Sequence, residues 1–278
     1  LATCMKWFPE KRGLVTGISM AGFGGGAVLL SALVERFLSG GMHVLTVFRW
    51  IGLAYGAALL VAAATLRFPA SNREEQQQPA VPLRHLLGDP FFRLLLFGMF
   101  CGTFAGMLVI GNLKPMALAA GVPAVPAAAA ISAFALGNAS GRITWGWISD
   151  RMDERLIPIK LAALGIPLVL LVWADSAAVF ILLSFLVGFG FGACFVVYAA
   201  QVASEYGASR VSGIYPLIFL SYGAAGLIGP AAGGRLYDAT SSYTPSLLLS
   251  CGVLAAGVIA TAWLLRRAKY SRARLSHG

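Results

Sequence analysis

Eight stretches of this chain are each long and apolar enough to cross a lipid bilayer. They cover residues 13–37, 44–66, 92–112, 124–148, 157–174, 177–201, 212–236 and 245–265. A helix needs roughly 20 mostly apolar residues to cross the hydrocarbon core. Only helices and closed barrels can satisfy their backbone groups there. The stretches are continuous apolar runs rather than alternating ones, so the sequence reads as an all-α polytopic membrane protein with about eight transmembrane helices.

Composition supports this and removes other classes. The mean hydropathy of +0.79 and a charged fraction of 12% are too apolar for a soluble domain of this length. The 33 glycines exceed the usual share of about 7%, as close helix packing in membranes requires. A net charge of +10 suggests nucleic acid, but its distribution argues against that partner. Lys6, Lys11 and Arg12 precede the first stretch, and Arg67, Arg73, Arg84 and Arg93 lie between the second and third. Arg151, Arg155 and Lys160 follow the fourth, Arg210 follows the sixth, and Arg266, Arg267, Lys269, Arg272 and Arg274 form a basic tail. Loops rich in Lys and Arg stay cytoplasmic. Both ends are therefore expected in the cytoplasm, in a multi-pass protein of the plasma (inner) membrane whose surroundings are the lipid bilayer.

Cys4, Cys101, Cys194 and Cys251 are far apart, with no C-x-x-C pair, so no metal site and no disulfide framework is indicated. The last three sit in apolar stretches, where packing is the expected role. His43, His85 and His277 are scattered. No cofactor is implied. The longest polar break, Arg67 to Asp89, contains Ser71-Asn72-Arg73-Glu74-Glu75-Gln76-Gln77-Gln78 and reads as a linker. The chain opens on Leu1, and residues 1–5 look like the end of a preceding helix, so a fragment lacking an N-terminal part is expected. Glycines four apart recur at Gly22/Gly26, Gly102/Gly106, Gly137/Gly141, Gly188/Gly192 and Gly229/Gly233. That spacing puts both on one helix face, for tight packing or for faces that slide during a transport cycle.

An ionisable group inside a membrane helix is costly and marks a candidate for function. Arg142 lies eight residues before Asp150, which at a rise of 1.5 Å per residue puts it about 12 Å below the interface. A guanidinium there can bind a carboxylate through two parallel hydrogen bonds. A structural pair with an acidic group or helix end, or snorkelling toward water, is the other reading. Lys114 follows Gly111-Asn112 at the far end of the third stretch. It either anchors that interface or guides an anion inward.

The segment from Gly141 through Arg142, Gly146, Asp150 and Arg151 to Arg155 joins the fourth and fifth stretches. Here the chain resembles the major facilitator superfamily, which carries a G-x-x-x-D-R-x-G-R-R loop. Gly146, Asp150, Arg151 and Arg155 match this conformational motif, whereas Asp153 and Glu154 replace its Gly and Arg. Such degeneracy suits the loop after the family's eighth helix. Trp7-Phe8-Pro9-Glu10-Lys11-Arg12-Gly13-Leu14-Val15-Thr16-Gly17 resembles the start of the fifth helix in monocarboxylate carriers and the oxalate/formate antiporter group. Glu205-Tyr206-Gly207, the run from Tyr222 to Pro230, and Tyr237-Asp238 resemble their tenth-to-eleventh helix region. Gly111-Asn112-Leu113-Lys114-Pro115-Met116 also resembles the antiporter group.

The resemblance implies helices five to twelve of a twelve-helix carrier. Residues 1–66 would be a remnant of the N-terminal bundle, 67–90 the central cytoplasmic loop, 91–266 the C-terminal six-helix bundle and 267–278 the basic cytoplasmic tail. The missing N-terminal helices would be a partner of the site. Arg142 occupies the place of the arginine these carriers use for substrate carboxylate. Asn138 stands where proton-coupled members often carry an aspartate. The lysine that oxalate exchangers use in the eleventh helix has no counterpart between Ser212 and Leu236, where Tyr222 is the nearest polar occupant. One binding charge rather than two favours a monocarboxylate or another small anion over oxalate.

The expected function is secondary active transport of small organic anions, mono- or dicarboxylates, by alternating access between two helix bundles. The alternative within transport is an exporter of drugs or other small molecules, suggested by Gly226-x-x-Gly229-Pro230. A cationic substrate would want a membrane-embedded carboxylate, and none is evident. A receptor or assembly role without transport is excluded less firmly. No nucleophile-base pairing or His/Asp/Glu cluster supports an enzyme. The topology has a direct check. Single cysteines at Gln77 and Ser271, on a cysteine-free background, are expected to resist an impermeant thiol reagent in intact cells, and labelling from outside would reject the orientation.

Overall fold

The computed structural model describes residues 2–65 and 81–275. The expected linker from Arg67 to residue 80 lies outside the described residues, as do the side chains of the basic tail from residue 267 onward. Each apolar run forms one helix. The order is α1 (Ala2–Trp7), α2 (Arg12–Ser39), α3 (Val44–Thr65), α4 (Leu83–Gly88), α5 (Pro90–Ala119), α6 (Ala124–Ser149), α7 (Leu156–Leu170), α8 (Ala177–Tyr206), α9 (Val211–Thr240) and α10 (Thr244–Leu275). No strand occurs among the described residues. Seven of these segments are long and apolar enough to cross a membrane among the described residues. The stretch expected at 13–37 is one continuous helix, α2.

Several helices outrun their apolar cores. α5 continues seven residues past 112, so Lys114 and Pro115 are helical, and α10 runs to Leu275 inside the expected tail. Hydropathy marks only the hydrocarbon segment, whereas the helix ends where capping and turn chemistry stop it. Asp89 accepts from Phe91 N at 2.9 Å and starts α5, and Ser176 accepts from Val179 N at 3.3 Å and starts α8. Gly207 ends α8 at a φ of 88°, a conformation open to glycine at little cost. Pro167 lies inside α7, and a 3-10 turn over Leu171–Trp173 completes that span.

Helices α5 to α10 pack around a shared apolar core that includes Leu95, Met99 and Leu108 of α5, Leu161 and Leu164 of α7, and Val187, Phe191 and Val197 of α8. α2 lies across α6 and α8. α3 touches α2 and leaves Phe48, Leu53, Leu59 and Leu60 exposed, as a lipid-facing helix would.

The tightest seam joins α6 to α8, and it is built from backbone. A Cβ on Gly141 would lie 2.9 Å from the carbonyl carbon and Cα of Phe189, and one on Gly188 would lie 2.9 Å from Phe134 Cα. Gly137 and Gly192 complete the set, the latter against Asn138 O at 2.5 Å. Two of the expected pairs behave differently. Gly102 and Gly106 admit side chains rather than a backbone: Gly102 faces Cys194 Sγ and Lys160 Nζ, and Gly106 faces the Phe191 ring. Gly22 and Gly26 meet nothing within 4 Å among the described residues. Gly188→Leu is therefore expected to destabilise the protein by at least about 1–3 kcal/mol through overpacking. Gly22→Ala should be neutral or slightly stabilising. Thermal unfolding in detergent checks both.

Candidate functional site

Arg142 sits in the middle of α6, and its surroundings are set by the α6–α8 seam. Because Gly141 and Gly192 let the two backbones touch, Phe195 of α8 lies directly beneath the guanidinium, with Cζ 4.3 Å from the ring centroid. That is cation–π distance. One turn earlier on the same helix, Asn138 Oδ1 accepts from Arg142 Nε at 3.1 Å. Arg142 Nη1 donates to the backbone carbonyl of Met20 on α2. The side chain is buried, and no acidic group pairs with it among the described residues.

The ring under Arg142 belongs to an aromatic wall. Tyr222 of α9 meets Phe195 edge-on at 5.4 Å and stacks on Phe219 at 4.9 Å. Tyr215 donates to Phe195 O at 3.1 Å and fixes α9 against α8. The fold thus brings Arg142, Asn138 and Tyr222 together around Phe195. It does not bring Lys114 to them. Lys114 is exposed on α5. Helix rise alone separates the two levels by roughly 25 Å. Near Lys114 on α5, and equally far from Arg142, Asn112 is buried, and its Nδ2 donates to Leu108 O at 2.9 Å and to Pro230 O of α9 at 3.3 Å.

About two turns from Arg142, at the C-terminal end of α6, lies the segment that matches the expected conformational motif. Among the described residues Asp150 pairs with no charge. Its Oδ1 accepts from Gly13 N at 2.6 Å and its Oδ2 from Leu14 N at 2.8 Å. These are first-turn amides of α2, which has no side-chain cap of its own. A helix N-terminus carries unpaired N–H groups and a partial positive charge, so Asp150 caps α2 from another helix. Gly146 makes this possible, since a Cβ there would lie 2.9 Å from the carbonyl carbon of Gly13. Gly17 likewise meets the backbone of Arg142 and Ile143. Arg12 adds a bond from Nη1 to Ala203 O of α8 at 2.8 Å.

The other motif residues stay on their own side. Arg151 stacks on Trp147 at 3.8 Å and donates to its carbonyl. Arg155 pairs with Asp153 at 3.4 Å in solvent, where such pairs contribute little. A cleft of about 380 Å³ lined by Glu10, Lys11, Trp147, Asp150 and Arg151 opens beside the seam.

One basic residue is corrected by the structure. Lys160, counted with the basic residues that follow the fourth stretch, falls inside the fifth stretch as a helical residue of α7 and is fully buried. α7 begins at Leu156, so Lys160 lies one turn inside it and points into the bundle.

The family model for the Major Facilitator Superfamily matches residues 1–218 and 95–277. The chain belongs to that superfamily. Its members and the curated relatives found for this chain are transporters, not enzymes. Over 80% of its length the chain is 26% identical to YhjX, an uncharacterized MFS-type transporter of Escherichia coli K12. Over 84% it is 24% identical to the oxalate:formate antiporter of Oxalobacter formigenes, and over 92% it is 26% identical to monocarboxylate transporter 13 of Rattus norvegicus. The chain spans 57%, 57% and 60% of these relatives, respectively. The crystal structure of the superfamily transporter FucP in its outward conformation superposes with a TM-score of 0.67 at 14% identity, covering 95% of this chain and 71% of that one. That likeness shows the superfamily fold.

The α2–α6 seam yields a prediction. Asp150→Ala leaves the Gly13 and Leu14 amides without acceptors, a loss of about 1–3 kcal/mol. Spin labels at Glu10 and Trp147 should report a new, longer-distance population in that variant. Arg151→Ala should leave the distribution unchanged, because Arg151 does not cross the seam.

Proposed function

We propose that this chain is part of a secondary active carrier of small organic anions, mono- or dicarboxylates, that works by alternating access. The observation that carries the reading is Arg142: a buried guanidinium held by two uncharged acceptors, Asn138 Oδ1 and Met20 O. An unbalanced charge in a membrane interior is costly, and a substrate carboxylate supplies what the site lacks. The relatives named for oxalate, formate and monocarboxylate support this substrate class.

The geometry suggests how binding couples to movement. A carboxylate engages a guanidinium best through two parallel N–H groups. Nε and Nη1 are both occupied by protein acceptors. A bidentate substrate that engages Nη1 competes with Met20 O, the acceptor that ties α6 to α2. Its release would loosen the seam at the level of Arg142, leaving Gly13, Gly17, Gly146 and Asp150 to part in turn. Asn138 and Phe195 hold the guanidinium in place, and Tyr222 lines the wall that faces the anion. Lys114, far along α5, has at most the role of drawing anions toward the opposite end.

In this reading α1 to α3 belong to an N-terminal bundle and α5 to α10 form the C-terminal one. The 67–90 segment, which includes α4, is the central cytoplasmic loop. The Asp150 end faces the cytoplasm, both ends of the chain lie there, and the protein is a multi-pass protein of the plasma membrane. The closed seam at that end and the likeness to an outward FucP support an outward-facing state.

The test uses the full-length carrier containing this chain, reconstituted in proteoliposomes. Arg142→Ala is expected to lower saturable carboxylate counterflow by about 100-fold, the scale of losing a buried charge partner. Arg142→Lys should also be impaired, since an ammonium lacks the planar fork. Carboxylate should lengthen the Glu10–Trp147 distance in the parent and not in Arg142→Ala. Normal counterflow in Arg142→Ala would leave the arginine a structural role, and transport of neutral or cationic compounds alone would favour the exporter.

A further inference from the structure

A second buried cation lies away from the Arg142 site. Lys160 of α7, Cys194 and Tyr198 of α8 and Cys101 of α5 meet inside the C-terminal helices, all essentially unexposed. Lys160 Nζ lies 3.0 Å from Cys194 Sγ and 4.2 Å from the centroid of the Tyr198 ring. The Tyr198 hydroxyl is buried and has no hydrogen-bond partner among the described residues. The space for this cluster comes from Gly98 and Gly102 of α5. A Cβ on Gly98 would lie 2.8 Å from Tyr198 Oη, and one on Gly102 would lie 2.8 Å from Cys194 Sγ and 3.0 Å from Lys160 Nζ.

A lysine kept only for packing or charge would be poorly served here. No carboxylate pairs with it among the described residues, so as an ammonium it has one sulfur and one ring for partners. An apolar side chain would fill the same volume without burying an amine. What lysine adds is a base and a nucleophile held against a thiol. A thiolate is the reactive form of cysteine, and Lys160 Nζ is within hydrogen-bond distance of Cys194 Sγ. The cluster also lies close to one end of the bundle. Lys160 is four residues into α7, about 6 Å along the helix from its start.

We propose that Lys160 and Cys194 form a modification site at which a hydroperoxide drives a covalent cysteine–lysine cross-link, a sulfenamide joining α7 to α8. In the first step Lys160 Nζ takes the Cys194 thiol proton, and the thiolate attacks a peroxide oxygen. An S–O bond forms, the O–O bond breaks, and the departing oxygen takes the proton back from Lys160 to leave as water or an alcohol. Sulfur loses two electrons and the peroxide gains two. In the second step the neutral Lys160 amine attacks the sulfenyl sulfur. An S–N bond forms, the S–OH bond breaks, and hydroxide leaves as water with a proton from nitrogen. The product has lost two hydrogens, and an added thiol reverses it. Sulfenic acids are known to condense with thiols and with nitrogen, and the short N–S distance selects the lysine. The site uses no residue of the Arg142 region, so it stands or falls independently of the carrier reading.

The test treats the purified full chain in lipid nanodiscs with hydrogen peroxide, then digests it without reductant for tandem mass spectrometry. The expected product is the Lys160 peptide joined to the Cys194 peptide, lighter by two hydrogens than their sum and released by a thiol reductant. Lys160→Arg, which keeps the cation but not the amine nucleophile, should lose the product entirely. Cys101→Ser should retain it. A Cys101–Cys194 disulfide, sulfinic acid at Cys194 with Lys160 free, or an unmodified Cys194 thiol would each overturn the proposal.

Discussion

The contact of helix backbone on helix backbone between α6 and α8 is the constraint on which the site depends. Lipid offers no hydrophobic reward for bringing two membrane helices together, so close packing has to supply the attraction. Gly137, Gly141, Gly188 and Gly192 bring the two backbones into direct contact there. The seam thereby fixes the positions of the site residues. Phe195 can reach under Arg142 only because Gly192 lies against Asn138 and Arg142 one turn away. Tyr215 and Tyr222 then hang from α8 through α9. A methyl group anywhere along the seam would move the guanidinium as well as the helix.

The α2–α6 contact uses the same glycine device with a different balance of forces. α6 and α8 are held along their shared core by apolar neighbours on both sides. α2 and α6 meet through Gly13, Gly17 and Gly146, reinforced by Asp150 at one end and by Arg142 in the middle. Both reinforcing side chains stand on α6 and both grip main-chain atoms of α2. The first contact reads as permanent framework. The second, gripped at two points by polar bonds from α6 to main-chain atoms of α2, suits a joint that opens.

Much of this architecture is legible in the sequence, and the parts that are not have physical reasons. Apolar runs locate the helices, while their ends slip because capping by Asp89 or Ser176 lies outside any hydropathy window. Arg142 stands out as a charge in hydrocarbon, and Asn138 is marked by its i−4 spacing. Phe195 carries no such mark, being one aromatic in a long apolar helix; a search for rings one helix away from a buried arginine could have raised it. Met20 is invisible in principle, since any residue offers a carbonyl. Lys160 is misplaced because a basic residue four positions from a helix start reads as interface, and only the space left by Gly102 shows that it turns inward. The Asp150 motif is recognisable, but its partner, a helix N-terminus 136 residues away, is a tertiary fact.

The trans cap on α2 has one more consequence. The amides of Gly13 and Leu14 lie in the first turn of their helix, where no carbonyl of the same helix is available to them. Their protection from solvent deuterium is therefore on loan from Asp150. Everywhere else along α2, slow exchange would reflect the durability of the helix itself. At these two positions it would count how often α6 lets go, so a pair of ordinary backbone hydrogens would serve as a clock for the α2–α6 joint.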